Sequence, residues 1–209
     1  MLGAHMPRHS LLLAALLAAG AVARLHAGQE STPPIPVDQE PRHRIVYRDA
    51  RLRIIDLQVQ PGDTSLFHTH AYDNVTIRIV STDSQTQDLG KDWDPRTVRP
   101  AGAIGGADYA GTGLPAHRVR NLNTSLWRQI VVENVKTSGW TSGPPVAALA
   151  MTVERDTRSF LAYRVRLAPG ARGVAHTHDV PVVTVLVKGQ VGLGAGETHL
   201  TRPGDWAIG

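Results

Sequence analysis

Short apolar runs broken by glycine and proline recur along the chain after residue 42, and they predict strands. Such runs occupy residues 43–47, 52–59, 75–80, 116–119, 125–132, 147–153, 160–167 and 181–187. Helical periodicity in the same region is weak, and runs of this length and spacing are typical of an all-β sandwich or barrel. The polar stretch 81–106 is rich in Gly, Asp and Pro and predicts a long loop or lid.

The N-terminal residues have a different pattern. Arg8 precedes an apolar run over residues 11–23, and small residues suited to proteolytic cleavage follow it. This order predicts a secretory signal peptide over residues 1–27, whether the natural start is Met1 or Met6. The run is shorter than the ~20 apolar residues that a spanning helix needs, so we expect no stable membrane span. The sequence therefore predicts an exported protein, periplasmic or extracellular.

Composition divides the remaining chain into four parts. Residues 28–41 form a proline-rich arm, 42–135 a first β-domain, 136–146 a linker rich in Gly, Ser and Pro, and 147–209 a second, shorter β-domain. Because the arm combines prolines with polar residues, we expect it to be extended rather than a packed element.

Charge and cysteine content exclude several functions. The chain carries 22 Lys and Arg against 18 Asp and Glu, and no cluster of basic residues is interleaved with aromatic ones. We therefore expect no nucleic-acid partner. The chain has no cysteine, which excludes disulfides and thiolate metal ligands. Any bound metal must use nitrogen and oxygen donors.

One phrase occurs twice in the sequence. It consists of a Pro-Gly pair, five further residues and a His-Thr-His triplet. The first copy ends at His70, and the second ends 108 residues later at His178. Side chains at positions i and i+2 of a strand project from the same face, so His68 and His70 can chelate one ion, as can His176 and His178. A single His-x-His pair is often only hydrogen-bonded, but its repetition after Pro-Gly favours metal sites, most strongly in the first copy.

A later strand offers the first copy a third ligand. His117 lies in a run that a barrel would fold against the strand of His68 and His70. Three protein ligands leave coordination positions open, which suits catalysis better than a closed structural site. His43 and His199 lack such partners, and we interpret them as ordinary surface residues. The candidates for contacts to a substrate or to the ligands are Tyr72, Arg118, Arg120 and Asn121, with Arg78 as a further cation for an anionic substrate.

These residues resemble the sequence motifs of the cupin superfamily. The Pro-Gly pair with His68 and His70 is similar to the first cupin motif, and His117 with Asn121 four residues later is similar to the second. The resemblance covers most of residues 42–209, and the duplication resembles a bicupin. It implies a jelly-roll barrel in each copy and one divalent transition metal, Fe, Mn, Zn, Ni or Cu, on His68, His70 and His117.

The sequence departs from the cupin pattern at the acidic ligand. The family usually supplies a glutamate four or five residues after the second histidine, and Asn74 and Val75 stand there instead. Asp73 is the nearest carboxylate, but a shift of one residue along a strand changes the face that a side chain occupies. Asn74 could ligate weakly or bind a metal-bound water. A site of three histidines is similar to that of cupin-type thiol dioxygenases, whereas two histidines and a carboxylate favour non-haem iron oxygen chemistry more generally.

The second copy departs further. Val182 and Val183 replace the acid, and the sequence stops before any counterpart of His117, so the second barrel is incomplete or the sequence is a fragment. A missing strand would leave a sheet edge open to pairing, which predicts a homo-oligomer through that edge. Two functions stay open: a metal-dependent enzyme of dioxygenase type acting on a small molecule, and a non-catalytic cupin-like protein that binds a small molecule or a metal.

Overall fold

The described part of the chain consists of short strands and one turn of 3-10 helix. The computed structural model describes residues 33–109, 116–136, 151–194 and 198–209, so the predicted signal peptide and nearly all of the linker lie outside the described residues. No helix in the described ranges has the length and apolar character that a membrane span requires. The strands are β1 (Ile35–Pro36), β2 (His43–Arg48), β3 (Leu52–Val59), β4 (His68–Thr69), β5 (Asn74–Arg78), β6 (Thr82–Asp88), β7 (Thr97–Arg99), β8 (Ile104–Ala107), β9 (His117–Asn121), β10 (Trp127–Asn134), β11 (Met151–Asp156), β12 (Leu161–Val165), β13 (Val183–Val185), β14 (Val191–Leu193), β15 (Thr198–Leu200) and β16 (Trp206–Ile208); the 3-10 turn is Val37–Gln39.

The first ten strands form two five-stranded sheets. Sheet A has the order β1-β4-β9-β6-β7 and sheet B the order β2-β3-β10-β5-β8. All their pairings are antiparallel except that of β1 with β4. Side chains from both sheets line one cavity, so the sheets face each other as in a jelly roll. The prediction of an all-β jelly-roll fold is confirmed.

Sheet B has apolar side chains on both faces, which explains why β3 and β10 contain adjacent apolar residues, such as Ile54 with Ile55 and Val131 with Val132. On the inner face, Ile55 and Leu57 alternate with residues that point outward, such as Ile54, as strand geometry requires. The residues after 151 cover the outer face. That outer cluster comprises Leu52, Ile54, Val75, Ile77, Ile79, Ile130 and Val132, with Phe160, Ala162, Val183, Val185, Val187, Trp206 and Ile208 packed against it.

The C-terminal strands form three two-stranded ladders, β11 with β12, β13 with β16, and β14 with β15. Residues Pro34–Gly209 form one compact unit. Residues in and next to β12, β13 and β16 shield the outer face of sheet B from water, and burial of this apolar area is their main contribution to stability. The predicted boundaries 42–135, 136–146 and 147–209, and the oligomer through an open edge, stay predictions.

Two segments differ from the sequence-based expectation. Residues 35–39 of the predicted arm pack, because β1 pairs with β4 and Val37 is buried in the core. The predicted loop 81–106 contains β6, β7 and β8. The seven residues of β6 are all polar, so no apolar period marks the strand. Backbone pairing with β9 and an ion pair between Asp83 and Arg96 hold it in place.

Both Pro-Gly pairs are turns. Gly62 has a φ of 73° and Gly170 a φ of 74°, the left-handed region that glycine tolerates best. The amide of Gly62 donates to the carbonyl of Asn121 at 3.1 Å, which ties the first turn to the end of β9. The turn therefore leads the chain toward the His-x-His triplet beside β9.

Candidate metal centre

Four of the described histidines meet between the sheets. His43 begins β2, His68 lies in β4, His70 follows β4 directly, and His117 begins β9 beside His68. The ring centroid of His68 is 4.3 Å from that of His43, 5.2 Å from that of His70 and 4.6 Å from that of His117. The rings of His70 and His117 stack at 5.2 Å. Residues from three strands and three sequence regions thus share one buried site.

Three of these rings have donor atoms that converge most closely. One ligand nitrogen from each of His43, His68 and His70 lies within 4.8 Å of the other two. All three residues are buried. Three imidazole nitrogens at this spacing fit one transition-metal ion, for which metal–nitrogen distances of about 2.0–2.1 Å are typical of zinc.

Each of the three rings is oriented through its Nδ1 atom. The Nδ1 of His43 lies 2.7 Å from Glu40 Oε2, that of His68 lies 2.9 Å from the carbonyl oxygen of Leu66, and that of His70 lies 3.2 Å from Glu133 Oε1. All three partners accept hydrogen bonds, so a neutral ring carries its proton on Nδ1 and leaves Nε2 as the ligand atom. Carboxylate or carbonyl support of this kind is typical of metal-binding histidines.

The Nε2 atom of His68 tests whether a metal fits. This atom is buried, and no hydrogen-bond partner for it is present among the described residues. A buried polar atom without a partner costs roughly 1–3 kcal/mol. A metal ion held jointly with His43 and His70 would satisfy it, so the donor set and its geometry fit a metal.

Electrostatics keep the histidines neutral. Burial, and then the neighbouring His43 and His117, lower the pKa of His68 to about 2. Burial, and then His70 and His43, lower the pKa of His117 to about 4. Burial also lowers the pKa of His43, although Glu40 opposes this shift. Because only a neutral imidazole binds a metal, the lowered pKa values leave His43, His68 and His117 ready to ligate at neutral pH.

Two buried carboxylates support the ligands. Burial alone would raise the pKa of Glu40, but its hydrogen bond and charge interaction with His43, together with the amides of Leu66 and Arg42, place it below the ordinary value. Burial acts in the same direction on Glu133, and the hydrogen bonds from His70 and Arg53 outweigh it, so the pKa of Glu133 is also lowered. Both side chains are therefore anions that accept from the ring N–H groups.

The predicted ligands meet different fates. His68 and His70 lie together as the i, i+2 spacing predicts. His117 is adjacent to both, but His43 rather than His117 completes the closest set of donors, so ligation by His117 stays a prediction. The interpretation of His43 as a surface residue is wrong, because its side chain is 5% exposed.

Asp73 and Asn74, the two candidates for the ligand that replaces the cupin glutamate, lie in different surroundings. Asp73 is buried but points away from the histidines toward the segment after β11: its carboxylate accepts from Arg158 Nε at 3.0 Å and from Ser159 Oγ at 2.5 Å. These bonds give it a structural partner, so it is a poor ligand candidate. Asn74 lines the cavity and pairs across the sheet with Glu133. The carboxylate absent at position 74 is thus present one strand away, where it supports His70.

The arginines of β9 correct another expectation. Arg118 and Arg120 lie on the face of sheet A away from the cavity, since His117 and Val119 occupy the inner face. Their guanidinium groups stack over Trp93 at 5.0 Å and 4.2 Å. They therefore do not contact a molecule in the cavity, and the alternation of side chains along a strand is the reason.

Asn121 and Tyr72 have supporting positions. The side-chain amide of Asn121 donates to the carbonyl oxygens of Val59 and Ser125 at 2.9 Å and 2.8 Å, which fixes the turn after β9. Tyr72 is not among the described residues that line the cavity. The guanidinium of Arg53, which binds Glu133, lies 5.3 Å from the Tyr72 ring. Tyr72 thus contacts Arg53, which holds Glu133, the carboxylate that orients His70.

The second histidine pair lies at the surface. His176 and His178 are exposed, with ring centroids 4.7 Å apart. The Nδ1 of His176 contacts the carbonyl of Val174 at 2.8 Å, as His68 contacts Leu66. The local geometry of the duplicated motif is therefore shared, but no third histidine or carboxylate within the described ranges joins this pair to form a cluster.

Sequence reasoning missed His43, Glu40 and Glu133. A signal for Glu133 was present, since it is a charge inside an apolar strand that must be buried on both faces. Glu40 and His43 stand three residues apart at the end of the proline-rich segment, and only the pairing of β2 with β3 brings them inward. No local pattern in the sequence predicts that pairing.

A cavity of about 360 Å³ opens beside the histidines. Its walls combine apolar side chains with polar ones from both sheets. Tyr109 stacks on His70 with a centroid distance of 5.3 Å, and burial, followed by the charges of Asp88 and Glu133, raises its pKa. The residues that line the cavity include His43, His70 and His117, with Leu57, Val119, Val131, Trp127, Arg78 and Gln129 farther along.

Comparison with solved structures finds distant similarities. A cupin domain from Bordetella pertussis is 12% identical over 49% of this chain and 96% of that one, with a TM-score of 0.39. A Cupin 2 conserved barrel domain protein from Salinispora arenicola is 20% identical over 42% and 66%, with a TM-score of 0.30. A protein with a double-stranded β-helix domain from Klebsiella pneumoniae is 16% identical over 51% and 86%, with a TM-score of 0.36. No protein-family model matches the sequence, and no curated protein does.

The fold is a cupin-type jelly roll. This conclusion rests on the two facing sheets of this chain and on the histidines of both motifs meeting between them. The cupin-type barrel comprises β1 to β10, and its three buried histidines could hold a metal ion.

Proposed function

We propose that the cupin-type barrel binds one divalent transition-metal ion through the Nε2 atoms of His43, His68 and His70, and acts on a small molecule in the adjacent cavity. The observation that carries the proposal is that all three rings are oriented in the same way, with Nδ1 held by the protein. Each Nδ1 has an acceptor, and the Nε2 of His68 is buried without a partner.

The proposed reaction is an oxygen-dependent oxidation of dioxygenase type. A metal ion on these three imidazoles would supply open coordination positions for a substrate and O₂. Glu40 and Glu133 hold two of the rings in place, and the facing sheets limit access of water to the cavity. His117 lines the cavity and is neutral at pH 7, so it can accept a proton from a bound molecule.

Asn74 favours a second candidate function. It stands where a cupin usually supplies a carboxylate ligand, and a site without that acid could bind a small molecule or a metal without turnover. Both functions use the same cavity.

We also propose export from the cytosol, with which a metal site free of thiolates is compatible, since imidazoles are not oxidised as thiolates are.

Metal analysis tests the shared part of both proposals. After loading with Zn²⁺ and dialysis, we expect about one ion per chain in the wild type and less than about a tenth of that in His68→Ala, because the most buried ligand is lost. The matched control is His199→Ala, which removes a histidine outside the cluster and should leave the zinc content unchanged. Equal zinc in His68→Ala and the wild type would contradict the proposal.

Oxygen uptake separates the enzyme from the binder. The protein loaded with Fe²⁺ is screened against a library of small organic molecules with an oxygen electrode. Uptake that depends on a library member and disappears in His68→Ala supports the oxidation. Binding of library members to the iron-loaded protein without oxygen uptake supports the non-catalytic function.

A further inference from the structure

We propose that the end of the cavity remote from the histidines is a carboxylate-binding subsite built on Arg78 and Trp127, so that the small molecule is an organic acid with an apolar body. This inference rests on the proposed function only in placing a small molecule in the cavity. It names the class of that molecule and the groups that recognise it.

Arg78 is a cation on the cavity wall, and within the described part of the chain it has no acidic partner. Its guanidinium donates to Gln129 Oε1 and lies 4.8 Å from the centroid of the Trp127 ring. No carboxylate of the described residues forms an ion pair with it. Burial, and then the nearby charge of Arg99, lower its pKa to about 10, so it stays charged at neutral pH. A cation that is desolvated and faces a second cation gains most from a bound anion.

Trp127 provides an independent observation at the same place. Its indole Nε1 is buried and has no hydrogen-bond partner within the described ranges. The ring lines the cavity beside Arg78. A buried indole N–H normally finds an acceptor. An indole N–H without an acceptor, beside a guanidinium without a carboxylate partner among the described residues, therefore points to a ligand that carries acceptor oxygens.

Two acidic residues of the described chain, Asp88 and Asp94, line the cavity. Asp88 lines it beside His117, its partner across the sheet, and its carboxylate is bound by Lys91 Nζ at 2.9 Å. Asp94 also lines the cavity, and its backbone amide is bound to the carbonyl of Thr86. Neither carboxylate forms an ion pair with Arg78 or Arg99 among the described residues. The positive end is thus available to an anion.

The sheet register sets the orientation of the ligand. His43, Leu57, Gln129 and Arg78 are successive partners across four strands of sheet B. Three strand spacings separate His43 from Arg78, about 14 Å between their Cα atoms. A molecule anchored at Arg78 therefore extends toward the histidines along Leu57 and Val131, which are apolar. The planar fork of a guanidinium matches a carboxylate, and the apolar wall suits a hydrocarbon body.

Calorimetry with hexanoate and its neutral analogue hexanamide tests the inference on the full chain, with and without Zn²⁺. We expect hexanoate to bind at least about tenfold more tightly than hexanamide. Arg78→Gln should remove that difference, and Trp127→Phe, which keeps a ring but loses the N–H, should reduce it. The control Arg118→Gln removes an arginine on the outer face and should change nothing. Gln129→Glu offers Arg78 an internal carboxylate and should weaken hexanoate binding as Arg78→Gln does.

Four outcomes would overturn the inference: no hexanoate binding to the wild type, equal affinity for the acid and the amide, an equal effect of Arg118→Gln, or tighter binding of inorganic phosphate than of hexanoate at this end of the cavity. Zinc content is measured on the same samples. If the wild type prefers hexanoate but holds no zinc, the proposed metal function fails and the carboxylate subsite stands. If the wild type holds a full zinc content but does not prefer hexanoate to hexanamide, the carboxylate subsite fails and the proposed metal function stands.

Discussion

Glu133→Ala should lower the free energy of unfolding by about 3–5 kcal/mol, because it leaves a buried charge without its partner. Glu133 is fully buried, and its carboxylate accepts from Arg53, which is 4% exposed, and from His70. After the substitution, the ion pair with Asp38 at 3.0 Å, near the surface, is the one that Arg53 keeps among the described residues. Urea denaturation of the metal-free protein measures the change.

A matched control is Glu154→Ala. Glu154 pairs with Arg164 at 2.7 Å, but both side chains are partly exposed, and a pair in such a position contributes at most about 1 kcal/mol. Similar small losses in both variants would contradict the role assigned to Glu133. The conservative variant Glu133→Gln should also weaken zinc binding by about 10–100-fold, because His70 loses its anionic support.

Acid should destabilise the metal-free protein strongly. The pKa of His68 is about 2 and that of His117 about 4 in the folded state, below the ordinary value of about 6.5. Below pH 6.5 the unfolded chain binds protons that the folded chain cannot accept, so stability falls with falling pH and is fully present only above that value. Between about pH 7.5 and pH 5, each of these two histidines should cost about 2 kcal/mol.

Chemical denaturation at a series of pH values measures this dependence. Glu40 and Glu133, whose pKa values are lowered, add a loss of the same sign at lower pH. His68→Phe should flatten the curve above pH 5, whereas His176→Ala should not, because His176 is exposed. A free energy of unfolding that is constant or higher at pH 5 would show that the histidine cluster is not buried in its neutral form.

The sequence predicts those features that depend on local periodicity. Apolar runs locate β3, β5 and β10, and the i, i+2 spacing brings His68 and His70 together. The strand β6 escapes prediction because its seven residues are polar and backbone pairing with β9 sets its conformation. Pattern rules rest on apolar burial, so they miss a strand that lines a polar cavity.

The candidate site shows the same limit. His43 enters it through the pairing of β2 with β3, and Glu133 through its register opposite Arg53 and Asn74. Whether Arg78, or instead Arg118 and Arg120, reaches the cavity depends on which alternate side chains of each strand face inward. A shift of one residue reverses that answer, and only the three-dimensional pairing fixes it.

The C-terminal segment has a structural role that its histidine pair does not suggest. Its apolar side chains cover the outer face of sheet B, while His176 and His178 are exposed to solvent. In this segment the duplicated phrase retains the Pro-Gly turn and the local histidine geometry. The packing that buries His68 and His70 in the first copy is absent around the described residues of the second pair.

Zinc content of His43→Ala, compared with that of His117→Ala, tests the central claim most directly. In the proposed site, His43, His68 and His70 share one ion and His117 is a neighbour on the cavity wall. Plasma mass spectrometry after zinc loading should find less than about a tenth of the wild-type zinc in His43→Ala and nearly full content in His117→Ala. Full zinc in His43→Ala together with loss in His117→Ala would contradict the account and assign the third ligand to His117.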